Sequence, residues 1–137
     1  MTYLAPTEAS ARALIARGMD RPVVMLNLLR FHAVADYNAD PDMAPDTPVS
    51  GAEAYELYVD GIAPLLTESG GAVLFRGDAG GWLIGPEGDG WDHVMLVRQA
   101  SVRSFLSFAQ DPAAQRYGAH RTAALLDSRL LPVSVAD

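Results

Sequence analysis

Three side chains with proton-transfer and anion-binding chemistry crowd into the segment DPAAQRYGAHRTAALLDSRLLP, residues 111–132: Tyr117, His120 and Arg121. On a helix, Ala113, Tyr117, His120 and Ala124 share one face, and Arg121 follows Tyr117 at i+4. One surface then carries a phenol, an imidazole and a guanidinium. That trio suits an anionic or enol-like substrate, with His120 as general base and Arg121 as charge stabiliser. A plainer reading competes, in which Arg121 pairs with a carboxylate while Tyr117 and His120 pack as half-buried core. Arg76 and Arg98 fall in strand-like runs, where an inward guanidinium is costly unless paired. Either holds a substrate carboxylate or lies on a solvent-facing edge.

Asn27 is the other anomaly, an amide inside the apolar run PVVMLNLLRF at residues 22–31. Unpaired and buried, it would cost about 1–3 kcal/mol, so it either bonds to backbone or faces a cavity that takes something polar. Tyr58 and Trp82 are candidate walls of such a cavity, with Asn27 and His120. His93 sits beside Trp91 and Asp92. With three histidines in the chain and no HxH or HxxxH spacing, no metal site is implied. Residues 77–81, GDAGG, lack the GxGxxG pattern of a phosphate cradle, and no GxSxG elbow occurs. Absence of cysteine excludes thiol nucleophiles, thiolate metal sites and disulfides.

The elements that must position these residues follow from periodicity. Seven of the ten residues at 22–31 are apolar, as in a strand buried on both faces and central in its sheet. Alternation puts Val23, Met25, Asn27, Leu29 and Phe31 on one side, with Val24, Leu26, Leu28 and Arg30 on the other. Thr7 starts a short helix that Gly18 ends. Residues 32–49 are an acidic, proline-rich loop whose acids miss the calcium-loop spacing. Ser50 and Glu53 form a capping box for a helix carrying Tyr55, Tyr58, Val59 and Ile62, with Pro64 predicting a kink or break. Strand-like runs follow at 72–76, 81–85 and 91–99, the last with His93, Met95 and Val97 on one face. Ser101 caps a helix, Asp111-Pro112 starts another to about residue 127, and 130–135 reads as a last strand. Pro132 suits an edge position there.

Without the first helix the order is β-α-β-β-α-β, an α+β, ferredoxin-like antiparallel sheet with helices on one face. A central strand apolar on both sides then asks for a second cover. The expectation is a homodimer through the sheet face carrying Met25 or Leu29. The 137 residues read as one domain: a helical extension at 1–21 and a ferredoxin-like body at 22–137. A formal net charge of −7 without a basic run argues against nucleic acid. No apolar stretch is long enough to span a membrane, and MTYLAPTEAS is unlike a leader, so a cytoplasmic protein is expected.

The runs VVMLNLLRF and WDHVMLVR, the Tyr55–Tyr58 helix and the 111–132 segment together resemble the domain-of-unknown-function 1330 family. The resemblance spans roughly residues 22–135. It implies a dimeric α/β barrel, in which paired sheets enclose a cavity, and it places Asn27 on the inner side. Relatives by fold include cofactor-free monooxygenases, isomerases, dehydratases and haem-dependent enzymes. The expected function is a cofactor-independent enzyme for an aromatic or anionic metabolite, or else a dimer that binds one without turnover. The resemblance supplies no agreed catalytic residue.

Overall fold

Local signals set most element starts. The computed structural model describes residues 1–136, and Asp137 lies outside the described residues. Thr7 caps α1 (Glu8–Ala16) by accepting from the Ser10 amide. Ser50 and Glu53 close the capping box of α2 (Gly51–Glu68). Ser101 caps α3 (Val102–Gln110), and Asp111 with Pro112 opens α4 (Pro112–Ala124). The strands are β1 (Val23–Phe31), β2 (Ala72–Asp78), β3 (His93–Gln99) and β4 (Leu125–Ser134). They form one sheet in the order β2-β3-β1-β4, with every neighbouring pair antiparallel. That is the ferredoxin-like arrangement, with β1 and β3 central and Pro132 in an edge strand.

Three local expectations change. Pro64 stays inside one continuous α2, because its position faces solvent and Asp60, whose carbonyl loses a donor, is exposed too. Residues 81–85 form no strand. β2 instead runs on to Asp78, and only two backbone bonds, Ala79 to Asp92 and Trp91 to Gly80, prolong its ladder into the glycine-rich turn. β4 begins at Leu125 and not at residue 130, because Leu125 to Ser134 pair along the whole of β1. α4 therefore stops at Ala124.

The largest correction concerns which face of the sheet is inside. Val23, Met25, Asn27 and Leu29 are the buried side of β1, at 0–5% exposure. They share a core with Met95 and Val97 of β3, Tyr55 and Leu66 of α2, Val102 of α3 and Leu14 of α1. The chain's own helices cover the Met25–Leu29 face, so it is not available to a second subunit. Val24, Leu26, Leu28 and Arg30 lie on the opposite, more open face.

The 32–49 segment is pinned in place. Ala35 bonds to Val49, Asp36 to Ala123, and His32 to Ala124 and Gly51, all through backbone. A short 3-10 turn, Pro41–Met43, sits within it.

Helices α2 and α4 meet at Gly61, where an added Cβ would stand 2.2 Å from Cδ1 and 2.5 Å from Cγ of Tyr117. Those atoms are the base of the ring and cannot swing clear without moving α4. Better helix propensity returns at most about 1 kcal/mol to alanine, whereas overpacking costs about 1–3 kcal/mol. Gly61→Ala is thus expected to destabilise the fold in urea denaturation, and Tyr117→Ala in the same chain to recover part of the loss. A Gly61→Ala protein as stable as the parent would show that the two helices separate freely.

Candidate functional site

Between the covered face of the sheet and the helices lies a cavity of about 70 Å³. α2 contributes Tyr55 and Tyr58, α3 Phe105 and Phe108, and α4 Arg121. The sheet supplies Met25 and Asn27 from β1, Met95 and Gln99 from β3, and Leu130 from the edge strand. Most of this wall is apolar, so its polar atoms define what the space can hold.

Behind this wall, two side-chain atoms have no partner among the described residues. Tyr55 Oη and Gln99 Oε1 are buried and make no hydrogen bond. Buried polar groups are nearly always paired, and an orphan costs about 1–3 kcal/mol. Asn27 is better served: its Nδ2 donates to the carbonyls of Met25 at 3.2 Å and Met95 at 3.3 Å. Those two acceptors also set which way the amide points. Arg121 donates to the Leu4 carbonyl at 2.8 Å and approaches Ser128 Oγ at 3.4 Å. Among the described residues no carboxylate forms an ion pair with it.

The polar groups sit at two ends. Tyr55 stacks 5.5 Å from Phe31 and 5.4 Å from Tyr58, and Arg121 reaches Ser128, which pairs with Leu29. Gln99 pairs with Val23, at the far end of β1. Burial pushes the Tyr55 hydroxyl well above the usual phenol value, and Tyr58 adds to this while Arg121 and Arg76 oppose it. Burial raises Tyr58 as well, against the pull of Arg121. Both phenols therefore remain protonated donors at neutral pH. With Arg121 they can hold an anionic oxygen. Among the described residues no imidazole or carboxylate lines the cavity.

The residues singled out from sequence are divided by the fold. Asn27, Tyr58 and Arg121 line the cavity; Arg76, Trp82, Tyr117 and His120 do not. Successive helical residues point about 100° apart, which sends His120 away from Arg121. His120 Nδ1 lies 2.7 Å from the hydroxyl of Tyr37, in the 32–49 loop. Arg76 pairs with Glu56 and donates from Nε to His93 Nε2 at 3.3 Å, and His93 Nδ1 is 3.2 Å from Asp78. Trp82 lies in the β2–β3 turn and donates to Asp89. Arg98 is exposed. Tyr55 and Gln99 were not singled out. The alternation His93, Met95, Val97, Gln99 carries a signal for Gln99, since it extends the buried face of β3 by one step to an amide.

Among the described residues no group of three or more His, Asp or Glu side chains is placed to hold a metal ion. Among the same residues no helix is long and apolar enough to cross a membrane.

No family model matches the chain, and no curated protein does. Its fold is similar to the crystal structure of RPA0582, a protein of unknown function from Rhodopseudomonas palustris. The TM-score is 0.86 at 31% identity, covering 100% of this chain and 99% of that one. It is also similar in fold to the hydroxynitrile lyase of Passiflora edulis, with TM-score 0.52 and 15% identity over 86% of this chain and 96% of that one. A dimeric ferredoxin-like protein of unknown function from Bacteroides fragilis matches with TM-score 0.51 and 11% identity, over 86% and 100% of the two chains.

His120 carries a pH consequence. Burial lowers its pKa from the ordinary 6.5, so the unfolded chain takes up this proton first as pH falls. The group's stability contribution is complete above that value and is lost as pH drops through it towards the depressed folded value. Urea midpoints of the native protein are expected to fall between about pH 7 and pH 5, with a shallower fall in His120→Gln. Equal slopes in the two proteins would remove His120 as the cause.

Proposed function

We propose that this chain, which belongs to the same family as RPA0582 of Rhodopseudomonas palustris, is a homodimeric binding protein for a small organic anion. The sequence resemblance points the same way, and we take the wider family to be the domain-of-unknown-function 1330 group. The observation that carries the ligand is Arg121, which has no carboxylate partner among the described residues and shares the wall of one cavity with Tyr55 and Tyr58. Charge on Arg121 and two neutral phenol donors favour a carboxylate or enolate oxygen. Catalysis finds less support, because His120, the base expected from sequence, bonds to Tyr37 outside the cavity.

The dimer follows from the open face of the sheet. Val24, Leu26, Leu28, Val94 and Leu96 are only half buried there, while Leu131 and Phe75 are 59% and 55% exposed. A contiguous apolar patch of this kind marks an interface more often than chance exposure. A second copy of the same sheet is the occupant we infer, and the Bacteroides fragilis protein of like fold is itself described as dimeric. The homodimer expected from sequence therefore uses the Leu26 side in place of the Met25 side.

Two experiments test the reading. Leu26→Glu should convert a dimer to a monomer in light scattering; a native mass equal to one chain, or a variant that stays dimeric, rejects the interface. For the cavity, butyrate titrated into the native protein should shift the NMR resonances of Met25 and Met95. Tyr55→Phe should weaken that binding while leaving the ligand-free protein at least as stable, since it deletes an unpaired hydroxyl. No shift at either methionine rejects an anion site.

A further inference from the structure

Leu83 and Ile84, at the tip of the 79–92 turn between β2 and β3, are 99% and 91% exposed, and Trp82 beside them is 44% exposed. Three adjacent large apolar side chains in water are unlike the single exposed ones that any surface carries. The segment that presents them is held at its base. Ala79 donates to the Asp92 carbonyl, Trp91 to the Gly80 carbonyl, and Trp82 Nε1 to Asp89. Arg30 ties down the returning limb: its Nε donates to the Gly90 carbonyl at 2.7 Å, and its guanidinium pairs with Asp89. Arg30 alternates with Leu28, Leu26 and Val24 on the open face of the sheet. The loop is therefore fastened from the side where Leu26 and its neighbours lack cover, and its apolar tip continues that surface.

Charges at the two ends of the open face decide how a second copy lies on it. Arg98 stands at one end, opposite Val24 of β1 and Ala72 of β2. It is exposed, and among the described residues no carboxylate pairs with it. At the other end Arg30 and Arg129 are matched by Asp89 and Asp127, while Glu87 in the loop is exposed without a cationic partner among the described residues. The Val24 and Arg30 levels lie about 20 Å apart along the strand. Copies stacked with like ends together would set Glu87 against Glu87 and Arg98 against Arg98. Turned end for end about Leu26 and Leu28, a two-fold pair instead makes each opposite-charge contact twice. The loop base of one copy then faces the Arg98 end of the other across the ~10 Å between packed sheets, a gap that a glutamate and an arginine side chain span together.

Resting on the sheet-face dimer proposed above, we infer that the 79–92 loop is a dimerisation arm for a second copy of this chain. Leu83 and Ile84 of one copy pack on the end of the partner's sheet where Ala72 and Arg98 lie, and Glu87 meets the partner's Arg98.

Light scattering and analytical ultracentrifugation over a dilution series, at low salt, read the dimer Kd of the native protein and of its variants. Every side chain replaced is exposed, so each variant keeps its own fold and association alone is at stake. Leu83→Ser combined with Ile84→Ser is expected to weaken the dimer at least about tenfold, since both side chains lose their cover. Glu87→Arg and Arg98→Glu are each expected to weaken it about fivefold, and the two reversals in one chain to bring it back near the native Kd. A native dimer whose Kd is unchanged by the Leu83 and Ile84 replacements overturns the arm and leaves the sheet-face dimer standing. A double reversal no tighter than the single ones overturns the end-for-end pairing of Glu87 with Arg98. A native mass of one chain at every concentration ends the dimer, and this inference with it.

Discussion

β1 places large apolar side chains on both of its faces, and each one left in water forgoes roughly 1.5–3 kcal/mol. Val23, Met25 and Leu29 find their cover in helices of the same chain and are buried almost completely. Val24, Leu26 and Leu28 do not. Folding covers one face and leaves the other half buried. The split β-α-β order makes this unavoidable, because both crossovers carry their helices to the same side of the sheet.

The covered side is not packed solid. Asn27 and Gln99 fall on the inward alternation of β1 and β3, among methionines, valines and leucines. Asn27 resolves its amide by bonding the carbonyls of Met25 and Met95, and so locks the central pair of strands. Gln99 has no such neighbour for its oxygen, and neither has the Tyr55 hydroxyl. Each orphan costs about 1–3 kcal/mol against a total stability of only about 5–15 kcal/mol. A leucine and a phenylalanine would serve packing better at both positions. Local rules broken without compensation inside the protein are where function is to be sought.

Much of the fold was legible because period-two and capping signals are local. Ser50 with Glu53, Asp111 with Pro112, and the alternation in β3 each specify an element without reference to the rest. The choice of inner face was not legible. Alternation shows that Met25 and Leu29 share a side, but with both sides apolar only the packing of distant helices decides which is inside. The start of β4 was hidden for a related reason: LLDSRLL suits a helix end or a strand, and pairing with β1 decides it. For the site, helical spacing placed Tyr117, His120 and Arg121 close in sequence. It could not show that α4 turns Arg121 to the cavity, His120 to the 32–49 loop, and Tyr117 to Gly61. Three neighbours on one helix serve three different contacts.

The cationic end of the cavity depends on both ends of the chain. Arg121 is aimed by the Leu4 carbonyl, and Leu4 is held because the Tyr3 amide donates to Asp127 Oδ1 at 2.8 Å and Ser128 Oγ donates to the Tyr3 carbonyl. Burial alone would raise the Asp127 carboxyl. The Tyr3 and Ser128 amides, with Arg129, more than offset that and keep it below the usual carboxylate range. Asp127 is therefore ionised through neutral pH and anchors the N-terminal segment beside β4. A guanidinium tied to a backbone carbonyl and a hydroxyl keeps its charge uncompensated, whereas a carboxylate in their place would cancel it. The same contacts that fasten Tyr3 and Leu4 to β4 thus orient Arg121 towards the cavity, with no carboxylate paired to it among the described residues.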